Sequence, residues 1–376
     1  MPASHHLAIL VLALCAAPLA AQRPVVTVGG SNPSFADLPQ AVAAAAPGSI
    51  VDVRPGLYTG FSTSKPLRVV LHGATVQPAA GASYAIEVHG VTGPDQFVLA
   101  GDPGTVLAGP LGAMRVDGTH APVVIESVIL GGTTQPGLEV FNTGSVFVTR
   151  SILLGNPALT AQFCNLTSCE NVVGNAVGVG AIVQSALFES SRAIYLGTNQ
   201  PALRVFTSDV RLSSDGTGSM LAIGSIPVPI SAVEAFDSTV TWDPARFTTS
   251  TIGGAPVLGA QQTVEVIEDV PMMNAGPAPL GGVAMARMVS GTPVFGMIAM
   301  GFLLTTPNVF ASIGYYVDPA NFVLANAGLV DGNGLFVNIA IPNDPALRGN
   351  LYCFQGVTFP ASGIAATSNA ALWHVE

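Results

Sequence analysis

The chain has 376 residues, room for one large domain or two ordinary ones, and only 9% of them are charged, against 42 Gly and 29 Pro. So little charge is foreign to a helical protein of this length and suits short strands joined by many turns, with an uncharged Ser/Thr/Asn surface. A formal net charge of −10, with Lys65 as the one lysine, leaves no basic patch and argues against nucleic acid or anionic membrane surfaces as partners.

Residues 1–21 read as a signal peptide: His5 and His6, an apolar run over 7–17, then Pro18 and the small residues Ala20 and Ala21. The expected location is therefore secreted or cell-envelope. Cys15 follows Leu14, where a lipid-anchoring motif needs a small residue. Removing the segment leaves Cys164, Cys169 and Cys353, an odd number that cannot complete a disulfide framework and has no zinc spacing. Cys164 and Cys169 can bridge only across a tight turn, and the plainer reading is that all three are small buried apolar side chains.

Residues 34–61 read SFADLPQAVAAAAPGSIVDVRPGLYTGF. Asp37 caps a helix that starts near Leu38, Pro39 sits in the first turn where it is tolerated, and Pro47-Gly48 ends it. SIVDV and LRVVLHG follow as strands, with Asp52 and Arg54 alternating with Val51 and Val53 and so facing solvent. Further on, GLEVFNTGSVFVTRSILLG (137–155) lies over VGAIVQSALFESSRAIYLG (179–197) without a gap. The offset is 42 residues, placing Val140 on Ile182, Arg150 on Arg192 and Leu154 on Leu196. An intermediate unit, PALTAQFCNLTSCENVVG, halves that period to about 21. The units hold short alternating stretches and no 3.6-residue apolar face, which suits one rung of a β-solenoid, with like positions stacked in columns about 4.8 Å apart. The Ala-rich helix would cover the open end of such a stack. A WD-type propeller, with its longer repeat, is the minor alternative.

The order strand, Ala-rich helix, PGSIVDV, RPGLYTGF, KPLRVVLHGATV resembles the entry to pectin lyase-like proteins, over residues 25–243 and most closely in the first 55 of them. The resemblance implies an all-β chain built on a right-handed parallel β-helix and a carbohydrate context, but no particular reaction. After 243 the composition changes. Residues 248–262 are Thr/Gly-rich and read as a linker. From 263 onward longer strands such as VEVIEDV, LFVNIAI and NLYCFQGVTF, about seven in all, suggest a small β-sandwich. The run VFGMIAMGFLL is eleven residues, far short of the roughly 20 that span a bilayer. IPNDPALRGNLYCFQ resembles C-terminal sandwich modules of exported bacterial proteins. The expected organisation is signal peptide 1–21, β-helix 22–247, linker 248–262 and sandwich 263–376.

The candidate binding residues are Glu126, Arg150, Glu170 and Arg192, at spacings of 24, 20 and 22. Stacked on successive rungs they form a column of alternating charge. Such a column is either a site for acidic or hydroxyl-rich sugars with a glutamate as acid or base, or, more plainly, an ion-pair ladder that keeps rungs in register. The NxD, DD, GHG and RxK motifs of polygalacturonase-like hydrolases are absent, as are GxSxG and nucleotide-binding loops. Asp117-Gly118, Asp215-Gly216 and Asp331-Gly332 read as turns, and His72, His89, His120 and His374 lack a metal-binding spacing. No catalytic residue, metal or cofactor is expected. Phe141, Phe163, Phe188 and Phe206 recur near rung spacing and read as an interior stack, with a sugar-stacking stripe as the alternative. The expected function is an exported, non-catalytic solenoid that binds, or displays to, polysaccharide or cell-surface components. The alternative is a divergent polysaccharide lyase or glycoside hydrolase.

Overall fold

A computed structural model describes residues 23–375 apart from 94, 111, 176–177, 217–219, 225–231, 243–247, 251–256, 259–262, 267–269, 311–312, 345–346, 348–349, 362 and 364. The expected signal peptide lies outside the described residues. The chain divides into two compact units between Val270 and Pro271. Among the described residues it is all-β except for one helix, Leu38–Ala44.

The first unit consists of three parallel ladders that the chain visits in rotation. The first ladder opens with Val25–Val28, Ile50–Val53 and Arg68–Leu71 and ends at Thr263–Val266. The second runs from Leu57–Thr59 to Thr248–Ser250, and the third from Phe61–Thr63 to Val257–Leu258. Parallel neighbours cannot be joined by a hairpin, and here the other two ladders act as the crossover, so the backbone coils. This arrangement fits a β-helix. Phe147, Thr167, Glu189 and Arg211 are successive register partners, so the central turns keep the period that the repeat predicts. Arg211 pairs onward with Thr241 across a distinctly longer turn.

Alternate residues point into the coil and stack. Phe97, Val123, Val146, Leu166, Phe188, Val210 and Val240 form one column, each at most 2% exposed. Burying each such side chain contributes about 1.5–3 kcal/mol. The 42-residue overlay holds in the second ladder, where Ile152, Val172 and Ile194 align. In the third ladder Val140 aligns with Ala161 and Val183, not Ile182, because the register shifts by one residue between Thr143 and Ser145.

The helix forms where the sequence places it. The Asp37 carboxylate accepts from the backbone N–H of Leu38 and of Thr59, both at 2.9 Å, and so caps the helix while tying it to the first turn. Leu38, Ala41 and Val42 are buried in the same core as Val51 and Val53. At the other end Lys65 Nζ donates to the carbonyls of Val42 (3.1 Å), Ala43 (2.6 Å) and Ala45 (2.9 Å), groups a helix terminus leaves unpaired. Lys65→Met is expected to cost about 1–2 kcal/mol, read as a lower unfolding midpoint, while Lys65→Arg keeps most of that stability.

Three strands, Thr248–Ser250, Val257–Leu258 and Thr263–Val266, pair with the turn before them. Thr248–Ser250 and Val257–Leu258 of the stretch expected as a linker thus belong to the ladders, and the division at 270/271 falls later than the change in composition. Threonine is a good strand former on a half-buried surface, so its enrichment there does not mark an exit from the coil.

The second unit is antiparallel. Met272–Ala275, Val283–Val289 and Leu335–Ala340 make one sheet. In the other, Val294–Phe310 lies between Ile313–Val330 and Leu351–Phe359, with Ala371–His374 beyond. Met273, Met288 and Ile339 of the first share one core with Ile298, Phe354 and Trp373 of the second, which fits a small β-sandwich. The Asn369 side chain accepts from Met273 N–H and donates to Met273 C=O, both at 2.9 Å, filling the place of a missing strand neighbour. The VFGMIAMGFLL run is a strand that alternates at first, with Val294, Ile298 and Met300 buried and Phe295 exposed; Phe302, of the same parity as Met300, is exposed where the register shifts between Gly301 and Leu303. Among the described residues no helix is long and apolar enough to cross a membrane.

Candidate functional site

The predicted charge column is a corner of the coil. Ser127, Arg150, Glu170 and Arg192 end the first-ladder segment of four successive turns, and all have left-handed backbones, φ 55, 48, 55 and 48°. Each N–H reaches the next turn: Arg150 to Cys169 O (3.0 Å), Glu170 to Ser191 O (2.9 Å) and Arg192 to Ser213 O (3.2 Å). Glu126 stands one residue before the corner. Its carboxylate nevertheless pairs with Arg150, Glu170 pairs with Arg192 at 2.8 Å, and Arg192 also approaches Asp215 at 3.7 Å. The four residues come together as two ion pairs between neighbouring turns. The partly exposed Glu170–Arg192 pair contributes at most about 1 kcal/mol, whereas the Glu126 carboxylate paired with Arg150 is buried; in this state the charges satisfy one another.

Asp52 and Arg54 pair at 3.1 Å, and His72 joins them from the next turn. Cys164, Cys169 and Cys353 are all buried and unbridged. Cys164 and Cys169 belong to one strand, Leu159–Cys169, which holds them apart. Burial pushes the Cys164 thiol up to about 12 and that of Cys169 to about 11, so neither is a nucleophile at neutral pH. The Asp331 carboxylate accepts from Asn333 N (2.7 Å) and Gly334 N (3.0 Å), which is the chemistry of a turn.

The phenylalanines correct the expectation of an interior stack. Only Phe188 is in the core, edge-on to Tyr195 with ring centroids 6.3 Å apart. Phe163 is 51% exposed at a corner with φ 52°. Phe141 and Phe206 point outward from the third ladder. The repeat period alone cannot separate these cases, because a one-residue slip moves a side chain to the opposite face.

That outward face of the third ladder is the most developed surface of the coil. Its two columns are set by register. One carries Ser62, Glu87, Arg115, Glu139, Thr160, Ile182, Arg204 and Glu234 on successive turns. The other carries His89, Asp117, Phe141, Gln162, Gln184, Phe206 and Phe236. Every one of these side chains is exposed or half-buried, while the residues between them, such as Val116, Val140, Ala161, Val183 and Val205, are buried in the core.

The charges are confined to the ends of this face, where Arg115 and Arg204 are ion-paired. Near the N-terminal end, Arg115 bonds Asp117 at 3.0 Å and lies 3.9 Å from Glu139, whose carboxylate also accepts from the Tyr84 hydroxyl. Burial first, and the Glu139 carboxylate second, hold the Tyr84 phenol well above its ordinary value. Tyr84 reaches Glu139 by crossing Gly112, where a β-carbon would collide with the ring. Ser62 Oγ lies 3.2 Å from His89 Nδ1 beside a cavity of about 400 Å³ that both residues line with Lys65. At the other end Arg204 bonds Glu234 at 2.6 Å.

The two turns between the ends, which carry Thr160 with Gln162 and Ile182 with Gln184, are neutral, while Phe141, Phe206 and Phe236 stand on the turns of Glu139, Arg204 and Glu234. Gln162 Nε2 donates to Gln184 Oε1 at 3.3 Å, an amide ladder between turns. Phe206 and Phe236 stack with centroids 5.1 Å apart and planes 10° apart, and Phe141 meets Phe163 edge-on at 5.8 Å. Flat apolar faces beside amide donors and acceptors match a ligand that offers both C–H faces and hydroxyls. Among the described residues no group of three or more His, Cys, Asp or Glu side chains is placed to hold a metal ion. No family model matches the chain, and no curated protein or solved structure is significantly similar to it.

Proposed function

We propose that the chain is an exported, non-catalytic parallel β-helix of the right-handed, pectin lyase-like kind, which holds polysaccharide or cell-surface glycan against the outward face of its third ladder. The observation that carries this reading is the uninterrupted column Phe141, Gln162, Gln184, Phe206 and Phe236, one side chain per turn, all accessible. Turns about 4.8 Å apart give the column a length of about 20 Å, which suits an extended polymer better than a single sugar. The signal-like residues 1–21 support export. The column Glu126, Arg150, Glu170 and Arg192 serves in this reading as a stabilising ladder, its charges already paired.

The test is a polysaccharide and glycan array followed by titration of whichever neutral polymer binds. The double variant Phe206→Ala/Phe236→Ala is expected to weaken binding about tenfold, the loss of one good stacking contact. Unchanged affinity in that variant, or no retained glycan, would sink the reading.

A second reading rests on the N-terminal end of the same face. Glu87, Asp117 and Glu139 surround Arg115 on three neighbouring turns, with Tyr84 bonded to Glu139. A divergent lyase or hydrolase needs such acid and base groups close together. Release of unsaturated or reducing ends from polyuronate or neutral polysaccharide, abolished in Glu139→Gln, decides for it; no release decides against it.

A further inference from the structure

The first three turns of the coil are joined by a histidine held between two carboxylates. His72 Nε2 lies 2.7 Å from Asp52 Oδ1 and His72 Nδ1 lies 2.6 Å from Asp102 Oδ2. The three residues come from successive turns: Asp52 from Ile50–Val53, His72 directly after Arg68–Leu71, and Asp102 directly after Phe97–Gly101. Arg54 holds the other oxygen of Asp52 at 3.1 Å. Among the described residues these are the charged groups that face the ring.

A neutral imidazole has one N–H and one lone pair, so it donates to one carboxylate and turns a lone pair toward the other. Two ionised carboxylates at opposite nitrogens are both satisfied only by the doubly protonated ring. We propose that His72 is a proton-gated staple: as imidazolium it clamps the three entry turns together, and on losing its proton it releases one of the two carboxylates and loosens that end of the coil. The backbone contacts at stake are His72 N–H to Val53 O (2.9 Å) and Asp102 N–H to Leu71 O (3.0 Å).

The electrostatics agree in sign. Burial opposes the charge on the ring, but hydrogen bonds to Asp102 and Asp52, with the negative charge of both, outweigh it and raise the His72 pKa above its ordinary 6.5. A group whose pKa is raised by folding stabilises fully below its unfolded value of about 6.5, and that stabilisation is lost as pH rises through the higher folded value. The clamp is thus closed in mildly acidic surroundings and opens toward alkaline pH. The ring is one-third exposed, so protons reach it without unfolding.

The experiment is a nitrogen-detected NMR titration of His72 in the full chain, with amide hydrogen exchange at His72 and Asp102 over the same pH range. The expected result is a His72 midpoint above 6.5, with a loss of amide protection through that midpoint beyond the intrinsic acceleration of exchange. In His72→Gln that extra loss is absent. A midpoint at or below 6.5, or the same pH-dependent loss in His72→Gln, overturns the proposal. Should His72→Gln not fold, Asp102→Asn decides: it lowers the His72 midpoint if the staple exists, and an unmoved midpoint overturns it.

Discussion

Replacing Glu189 by Ala is expected to lower the stability of the coil by about 3–5 kcal/mol, the cost of removing an opposite charge that acts on a buried guanidinium. Glu189 and Arg211 are register partners on neighbouring turns of the first ladder, 1% and 6% exposed. They continue the column of Val98, Val124, Phe147 and Thr167, the side of those strands that faces away from the coil interior and is buried nonetheless. Burial draws Arg211 down to about 10, and the charge of Glu189 holds it from falling further. Without the carboxylate the guanidinium keeps its desolvation cost and loses that compensation. The double variant Glu189→Met/Arg211→Met is therefore expected to recover most of the loss, because an apolar pair of similar volume needs none. Urea unfolding followed by circular dichroism measures both. A loss under about 1 kcal/mol in Glu189→Ala, or a double variant as unstable as the single, shows that the two side chains are not an energetically coupled pair.

The same column shows what a sequence can and cannot disclose. The helix Leu38–Ala44 is legible because Asp37, Pro39 and the Ala run act within a few residues of one another. The corner Arg150, Glu170, Arg192 is legible because the turns that join its members are nearly equal in length, so a fixed period finds it. Glu189 and Arg211 also stand one repeat apart, but nothing in their composition says that they are buried. In an alternating strand a charged residue reads as solvent-facing.

The outward face of the third ladder is hidden for a different reason. The turns from Glu87 to Arg115 and from Arg204 to Glu234 are longer by several residues than the central ones, so no single period follows the face from end to end. The gapless overlay absorbs the extra residue between Thr143 and Ser145 as a slip, placing Phe141 on Val183 when its counterpart two turns on is Gln184. One residue of slip exchanges interior for exterior, and with it an expected core stack for an accessible stripe. A strict two-residue alternation within each strand, scored before any overlay, separates Phe141 and Phe206 from Phe188. The stretch 248–262 misleads through composition: Thr248 and Thr249 serve a strand of the coil as readily as a linker, and only pairing tells the two apart.

Gly155→Ala, at the residue that closes the first repeat unit, is expected to cost about 1–3 kcal/mol or more, whereas Gly174→Ala, one turn on, is neutral or stabilising by about 0.4–1 kcal/mol. The contrast lies in what surrounds each α-carbon. A β-carbon on Gly155 would stand 2.5 Å from Gly137 N and 2.8 Å from both Gln135 O and Pro157 O. All three are backbone atoms, two of them in the preceding bend and Pro157 O in the same one, so relief requires one turn to move against the next. On Gly174 the nearest atoms are 3.6 Å away and belong to the Leu196 side chain, which is ordinary contact. Neither glycine has a left-handed backbone, so the difference isolates space from conformation. Gly197, which closes the second unit, would press a β-carbon against the carbonyls of Gln200 and Pro201 and is expected to behave like Gly155. The repeat therefore keeps glycine at 155 for the close approach of the preceding bend and at 197 for the tight closure of its own bend, and not for flexibility. Thermal unfolding of the three single variants tests this. If Gly155→Ala and Gly197→Ala unfold within a degree or two of Gly174→Ala, the bends have room to separate and close packing is not what selects glycine there.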